Sequence, residues 1–337
     1  MALALAAVPA PLLVLPPLAW LVLAAVGSAF RPAEGMLDPV AVSLLVRSTR
    51  LAGLTTALAL LLGVPFGWLT ARYRLPGRPL LLAASVLPLL LPPYCASLAW
   101  QLLVTREGAV NGWLLRTGWI SEPLSLHGCL VAAAGVLAFT YWPVVAWFTY
   151  FAARSVPRML EDAARLHLTD RRAAFWTAQA ALATALPAAA LLVFLLALAN
   201  FGAPNNLGVI TYPVEVVNRF QLDRDPGVVA RFAAPLLLLV VPLVFVQLRL
   251  LARAPLAAAA SEAPTLLRGG RFPGLLSAAC WLAPVVTVGI PLAVLARYSL
   301  PLATYASVWS ESGDHLLNTL VSGGAAALIA VAAALGL

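Results

Sequence analysis

The chain has 337 residues, of which 62% are hydrophobic and 10% are charged, and its formal net charge is +8. Soluble domains carry about 25% charged residues, so this composition excludes a soluble globular protein and indicates one that crosses a lipid bilayer several times. The positive charge does not indicate a nucleic-acid partner, because the basic residues of membrane proteins gather in loops on the cytoplasmic side.

Apolar runs rich in Leu and Ala recur along the chain, and each is long enough to cross about 30 Å of hydrocarbon as a helix. The strands of a membrane β-barrel would instead alternate polar and apolar residues. We therefore predict an all-α polytopic membrane protein with about eight transmembrane helices. The predicted spans lie near residues 9–30, 44–71, 79–104, 128–153, 173–199, 229–252, 274–297 and 316–337. Residues 1–30 lack a basic start, so we expect a retained first span rather than a cleaved signal peptide.

The loops that follow the second, fourth and sixth predicted spans are rich in arginine. They carry Arg72, Arg74 and Arg78, then Arg154, Arg158, Arg165, Arg171 and Arg172, and then Arg249, Arg253, Arg268 and Arg271. The other loops are poorer in arginine and hold most of the acidic residues. Because positive residues collect in cytoplasmic loops, we predict that the N-terminus and the loop at 154–172 lie in the cytoplasm.

Three prolines, Pro88, Pro92 and Pro93, mark the third predicted span. Proline removes a backbone donor, and the resulting break survives in a membrane only where protein or a water-filled cavity covers the freed carbonyls. The span is either a kinked helix that lines a solute pathway or a helix with a packing kink. The candidate pathway residues are Pro92, Pro93, Tyr94, Gln101 and Asn200. The alternatives are an interface anchor for Tyr94 and interhelical hydrogen bonds for Gln101 and Asn200.

The domain organisation follows from changes of composition along the chain. Residues 200–227 are too polar to span and are predicted to form an outer loop, and residues 253–273 form a linker rich in Ala, Pro, Gly and Arg. Segment 317–333 then echoes segment 47–63, with matches at Thr49/Thr319, Gly53/Gly323, Ala57/Ala327 and Leu58/Leu328. We predict a six-span unit at 1–252, a cytoplasmic linker at 253–273 and, at 274–337, the first two spans of a second, incomplete unit.

A charged segment at 154–172 lies between two long apolar runs and cannot enter lipid. Pro157 suits the start of a helix, and Glu161 and Asp162 fall in the early turns, where the helix dipole favours carboxylates. The apolar side combines Met159, Ala163 and Leu166 with Leu160, Ala164 and Leu168. We predict a short amphipathic helix at 158–170, then capping by Thr169 and Asp170 and a second helix from Arg171. From the residues alone, a plain interfacial loop is the alternative.

The sequence indicates no catalytic or metal site. His127, His167 and His315 are isolated, and no nucleophile–base pair recurs at a useful spacing. The three cysteines lie far apart in apolar surroundings, which is typical of small buried side chains. The phosphate-binding pattern GxxxxGK[ST] is absent, so we predict a chain that is not an enzyme and binds no cofactor.

The segment DAARLHLTDRRAAFWTAQAALATALP resembles the EAA loop of ABC importer permeases, which docks on the ATP-hydrolysing subunit. The matching positions are Asp162, Ala163, Ala164, Arg165, Leu166, Phe175 and Trp176. Leu168 occupies the position of the family's turn glycine, and Ala181 stands where a proline is usual. Leucine does not tolerate positive φ as glycine does, so we expect an altered turn.

Four further segments resemble the iron(III)/thiamine/phosphonate-type branch of that family, whose permeases fuse two six-span halves. They are LPLLLPPYCASLAW, REGAVNGWL, YWPVVAWFTYFAARSVPRMLEDAA and FLLALANFGAPNNLG. The resemblance implies a type I importer-like unit and a second EAA loop after a tenth span. The sequence ends before that loop, so we expect either a longer polypeptide or a second permease chain to supply the rest.

The resemblance implies a subunit of the bacterial inner membrane that moves a small solute from periplasm to cytoplasm. Iron(III) is the first candidate, and thiamine, phosphonate or polyamine are others. The implied partners are ABC ATPase subunits, which use the ATP, and a periplasmic binding protein that docks on the outer loops. Leu160, Ala164 and Leu168 would fill a groove of the ATPase, and Glu161, Asp162 and Arg165 would pair at its rim, with Ala163 and Leu166 in the same loop.

Two alternatives from other classes remain at this point. A secondary transporter driven by an ion gradient would need acidic residues inside the membrane, and Asp and Glu are absent from every predicted span. An uncoupled permease remnant would explain the missing turn glycine at Leu168 and the end at Leu337.

Overall fold

The computed structural model describes residues 39–223, 226–254, 266–267, 273–300 and 302–335, together with Ala19. The first predicted span, apart from Ala19, and most of the predicted linker therefore lie outside the described residues. Within the described ranges the regular structure is helical, with one isolated bridge between Tyr73 and Leu267.

The described helices are α1 to α14 in chain order, with one π-helical segment between α12 and α13. The first seven are α1 (Pro39–Arg72), α2 (Arg78–Ala84), α3 (Leu87–Leu90), α4 (Pro93–Val104), α5 (Ala109–Arg116), α6 (Leu130–Arg154) and α7 (Arg158–Arg165). They are followed by α8 (Asp170–Leu198), α9 (Gly202–Asn206), α10 (Tyr212–Asp223), α11 (Pro226–Arg253), α12 (Pro273–Pro284), a π-helical segment (Val285–Gly289), α13 (Ile290–Ser299) and α14 (Leu302–Leu335).

Six of the described helical stretches are long and apolar enough to cross a membrane, and the count rises to seven if one bent pair forms a single span. The six stretches are Pro39–Arg72, Leu130–Arg154, Asp170–Leu198, Val229–Arg253, Pro273–Ser299 and Ser307–Ala332. Together with the bent pair they correspond to the second to eighth predicted spans. The prediction of an all-α polytopic membrane protein is confirmed.

The bent pair is the proline-rich third span. Its halves, Arg78–Leu90 and Pro93–Arg116, meet at 93°. Leu91 is extended, with ψ at 113°, because a residue that precedes proline is pushed out of the helical region. Pro93 begins α4, where the missing N–H costs no hydrogen bond. The predicted break at the prolines is therefore present in the fold.

The described residues fall into two compact units. One contains the described residues of 39–218 and 235–294, and the other contains the described residues of 219–234 and 295–335. In the first unit α6 packs along α1, and α8 packs against both helices. One hydrophobic cluster of this unit surrounds Leu137 and Leu198, and a second surrounds Phe66 and Trp142, whose ring centroids lie 4.9 Å apart. In the other unit α14 exposes apolar side chains such as Leu320.

Two glycines allow α1 and α6 to approach closely. A Cβ added to Gly63 would lie 2.6 Å from the carbonyl oxygen of Trp142, and one added to Gly67 would lie 2.7 Å from Cβ of Thr149. Small residues spaced by four let membrane helices pack backbone to backbone. This pair was not predicted, although the pattern Gly63-x-x-x-Gly67 is readable in the second predicted span.

Candidate coupling site

Helix α7 is a short helix between the ends of α6 and α8. Pro157 precedes it, and the Pro157 carbonyl accepts hydrogen bonds from the N–H groups of Leu160 at 3.1 Å and Glu161 at 3.4 Å. The helix ends at Arg165, so it is shorter than the predicted range 158–170. The chain then turns, and the Ala164 carbonyl accepts from the N–H groups of His167 and Leu168.

The second predicted helix of the segment, α8, begins at Asp170, one residue earlier than expected. Thr169 is the residue before it, with extended backbone angles and no side-chain capping hydrogen bond. The predicted capping by the Thr169 side chain is therefore absent, while the Thr169 carbonyl accepts the N–H of Ala173 at 2.8 Å. The turn between α7 and α8 is formed with leucine at the family's glycine position.

Glu161 is buried between two arginines. Its Oε2 pairs with Nη2 of Arg72, the last residue of α1, and its Oε1 accepts from Nη2 of Arg165 at 2.6 Å. Both Arg72 and Glu161 are 0% exposed. Arg72 also donates from Nη1 to the carbonyl of Ala153 near the end of α6, at 3.2 Å. This charge cluster therefore joins α1, α6 and α7.

The buried position of Glu161 disagrees with the prediction that this carboxylate pairs at the rim of the ATPase groove. The side chain points instead to the inner side of the helix, because Arg72 meets it from an element 89 residues away in the sequence. A helical pattern within one segment cannot reveal such a partner. Asp162, by contrast, lies on the exposed side as expected.

The charges on the outer side of α7 form a surface network. Asp162 pairs with Arg158 at 3.6 Å and with Arg165 at 3.3 Å, and Arg165 also lies 3.6 Å from a carboxylate oxygen of Asp170. Exposed pairs of this kind contribute only about 0–1 kcal/mol each to stability. The network shapes the surface of α7, whereas the buried pair fixes the helix in place.

The exposed apolar side chains of α7 differ in part from the predicted stripe. Met159 is 84% exposed, Leu166 79% and Leu160 53%, and Ala163 is exposed as well. Ala164 and Leu168, which were predicted to fill the partner's groove with Leu160, are mostly buried. Ala164 is covered because it lies one turn after Glu161 and therefore on the same inner side of α7.

Aromatic side chains extend the cluster to the first turns of α8. Arg72 lies over the ring of Trp68 at 5.8 Å, and the rings of Trp68 and Phe175 are 6.0 Å apart. Phe175 and Trp176, the aromatic pair of the resemblance, are both at least half-exposed. The surface around α7 therefore presents apolar groups from α8 as well as its own.

The structure brings the predicted pathway residues on α4 close to those that follow α8. Gln101 donates to the carbonyl of Asn206 at 2.7 Å, and a Cβ on Gly202 would lie 3.3 Å from Cβ of Tyr94. Asn200 donates to the hydroxyl of Tyr141 at 3.1 Å. These contacts agree with the alternative of interhelical hydrogen bonds. Pro92 lies at the break, and Pro93 is the first residue of α4.

One member of this polar group was missed by the sequence analysis. Asn206 donates from Nδ2 to Oγ of Ser97 at 2.8 Å, which adds a second bond between α9 and α4. The signal was the polar run Asn205-Asn206 after an apolar span, but its partner on α4 could not be read from the sequence.

Within the described ranges, no three His, Cys, Asp or Glu side chains come together as a metal site would require.

No protein-family model matches the chain. Curated relatives match over 130 residues, or 39% of this chain. The spermidine/putrescine transport system permease protein PotB of Escherichia coli K12 is 27% identical over 47% of its own length. The molybdenum transport system permease protein ModB of the same organism is 31% identical over 55% of its length. PotB of Haemophilus influenzae is 25% identical over 46% of its length.

The chain spans about half the length of the curated relatives it matches. Its helices are those of a multi-pass membrane protein, and the relatives are named as transport system permease proteins. The matches support the ABC permease family that the sequence resembles, and they do not support the iron(III)/thiamine branch within it.

Proposed function

We propose that this chain is the membrane-spanning permease subunit of an ABC importer and that α7 is its docking helix for a separate ATPase subunit. The observation that carries the proposal is the combination of two features of α7 and Leu166, the residue that directly follows it. Met159 and Leu166 are apolar and more than three-quarters exposed, while Glu161 on the opposite side is tied to the end of α1. A helix that is fixed inside and apolar outside is suited to fill a partner's groove.

In this proposal the chain lies in the bacterial inner membrane, with its N-terminus and α7 in the cytoplasm. ATPase subunits bind α7 and use the ATP, and the chain itself holds no cofactor. A periplasmic binding protein delivers the solute to the outer loops, including residues 200–227. A second permease chain, or a continuation of this one, supplies the other half of the pathway. Alternating movement of related halves around a central site is a common transport mechanism.

The solute is a small polar molecule or ion. The relatives are named for spermidine/putrescine and for molybdenum, so a polyamine or an oxyanion joins the candidates from the sequence. Iron(III), thiamine and phosphonate stay predictions that rest on the resemblance alone. The side chains that bridge α4 and the segment after α8 are neutral amides and hydroxyls, namely Gln101, Ser97 and Asn206.

Charge on the exposed side of α7 should prevent ATPase binding. We expect Leu166→Glu to reduce the amount of ATPase that copurifies with the tagged chain at least tenfold, because a carboxylate would enter an apolar contact. The measurement is quantitative mass spectrometry of the purified complex, with the ATPase identified by its GxxxxGK[ST] sequence.

Trp119→Glu is the matched control, because Trp119 is 75% exposed but lies in the predicted outer segment between α5 and α6. It should copurify with as much ATPase as the unaltered chain. Equal loss in both variants, or no ATPase with the unaltered chain, would contradict the proposed docking role. Uptake driven by an ion gradient in the absence of ATP would favour a secondary transporter instead.

A further inference from the structure

We infer that the buried pair of Arg72 and Glu161 is the link through which movement of α7 reaches α1 and α6. Both side chains are thus positioning residues for transport, and neither has to touch the ATPase or the solute. The inference rests on the proposed function, since it concerns how force applied to the docking helix spreads into the spans.

The guanidinium group of Arg72 connects three helices. Arg72 is the last residue of α1, and its two terminal nitrogens contact two other helices. Nη2 pairs with the carboxylate of Glu161 on α7, and Nη1 donates to the carbonyl of Ala153 in the last turn of α6 at 3.2 Å. The last carbonyls of a helix carry partial negative charge, so an arginine is stabilised there. A shift of α7 therefore acts on the ends of α1 and α6 together.

Burial makes this link stiff. The side chains of Arg72 and Glu161 are 0% and 1% exposed, so separating them would leave opposite charges without water. The outer pair of Arg158 and Asp162 is 49% and 50% exposed, and water can replace either partner as it moves. The buried pair therefore stays formed when α7 moves, whereas the outer pair can separate.

Both oxygens of the carboxylate are occupied, which fixes its orientation. Arg165, one turn further along α7, holds Oε1 at 2.6 Å while Arg72 holds Oε2. The Glu161 carboxylate therefore pairs with a residue of its own helix and with a residue of α1 at the same time. The contact of Arg72 with Trp68, and of Trp68 with Phe175, extends the same connection to α8.

The test needs a reporter on α1 that responds to the ATPase without knowledge of the solute. Leu61 on α1 is 70% exposed and can carry an environment-sensitive fluorophore as Leu61→Cys, after Cys95, Cys129 and Cys280 are replaced by alanine. The complete transporter is trapped with ATP and orthovanadate, and the change of fluorescence is recorded. Copurified ATPase is measured on the same samples.

We expect Arg72→Gln and Glu161→Gln each to reduce the fluorescence change at least fivefold while the copurified ATPase stays within twofold of the parent. Arg72→Lys, which keeps a positive charge opposite Glu161, should keep at least half of the change. Arg116→Gln and Glu107→Gln, which remove the same side chains at exposed positions before and within α5, should leave it intact.

Three results would overturn the inference. The first is a full fluorescence change in Arg72→Gln or Glu161→Gln, and the second is a parent transporter that binds ATPase but shows no change at Leu61. If the single variants are not recovered from the membrane, Arg72→Lys decides. An Arg72→Lys variant that binds ATPase without any response is the third result. Absence of ATPase from the parent would instead contradict the proposed function.

Discussion

Glu161→Ala is expected to lower the free energy of unfolding by about 3–5 kcal/mol, because it leaves the charge of Arg72 buried without its carboxylate. The Ala153 carbonyl, 3.2 Å from Nη1 of Arg72, is neutral and cannot balance the charge. The measurement is a denaturant titration of the purified chain in detergent, followed by tryptophan fluorescence.

Asp162→Ala on the same helix is the matched control. Asp162 is half-exposed and pairs with Arg158 and Arg165 on the outer side of α7, so its loss should cost less than about 1 kcal/mol. The double variant R72L/E161L should recover most of the stability lost in Glu161→Ala, since it removes both buried charges and leaves apolar side chains. Equal midpoints for Glu161→Ala and Asp162→Ala would show that the buried pair is not a stabilising contact.

Gly67→Ala is expected to destabilise the contact of α1 with α6 by about 1–3 kcal/mol, because the added Cβ overlaps α6. It would lie 2.7 Å from Cβ of Thr149, and the backbone carbonyl oxygen of Ala146 is closer still. Backbone cannot move aside as a flexible side chain can, so the two helices must separate. The thermal midpoint of the purified chain, read by size-exclusion chromatography after heating, measures the loss.

Gly53→Ala in the same helix separates this overlap from a general effect of glycine. A Cβ on Gly53 meets no atom within 4 Å, and alanine favours a helix over glycine by about 1 kcal/mol. Gly53→Ala should therefore keep or raise the midpoint while Gly67→Ala lowers it. A similar shift in both variants would mean that close packing at Gly67 does not stabilise the fold.

Most of the helices could be predicted from the sequence because their signals are local. Long apolar runs gave the spans now seen in α1, α6, α8 and α11, and the prolines gave the break before α4. Pro157 and the charged residues after it gave α7, although its end at Arg165 came earlier than the pattern suggested. In each case one stretch of chain contains all the information needed.

The contacts that define the site could not be predicted, because they join distant stretches. Arg72 was noted only as a positive residue of a loop, and its pairing with Glu161 depends on how α1 packs beside α6. The same pairing decides which side of α7 is exposed, and so why Met159 and Leu166 project outward while Ala164 does not. The close contact at Gly67 is an exception, because its spacing with Gly63 was visible in the sequence.

The most direct measurement of the docking claim is a crosslink from α7 in inner-membrane vesicles. A heterobifunctional photo-crosslinker on Leu166→Cys, in a chain whose three native cysteines are replaced, should join the chain to a protein that carries GxxxxGK[ST]. The same reagent on Trp119→Cys should not. Labelling of Leu166→Cys by an impermeant reagent from the periplasmic side, or crosslinks to that protein from Trp119→Cys alone, would contradict the claim that α7 is the docking helix.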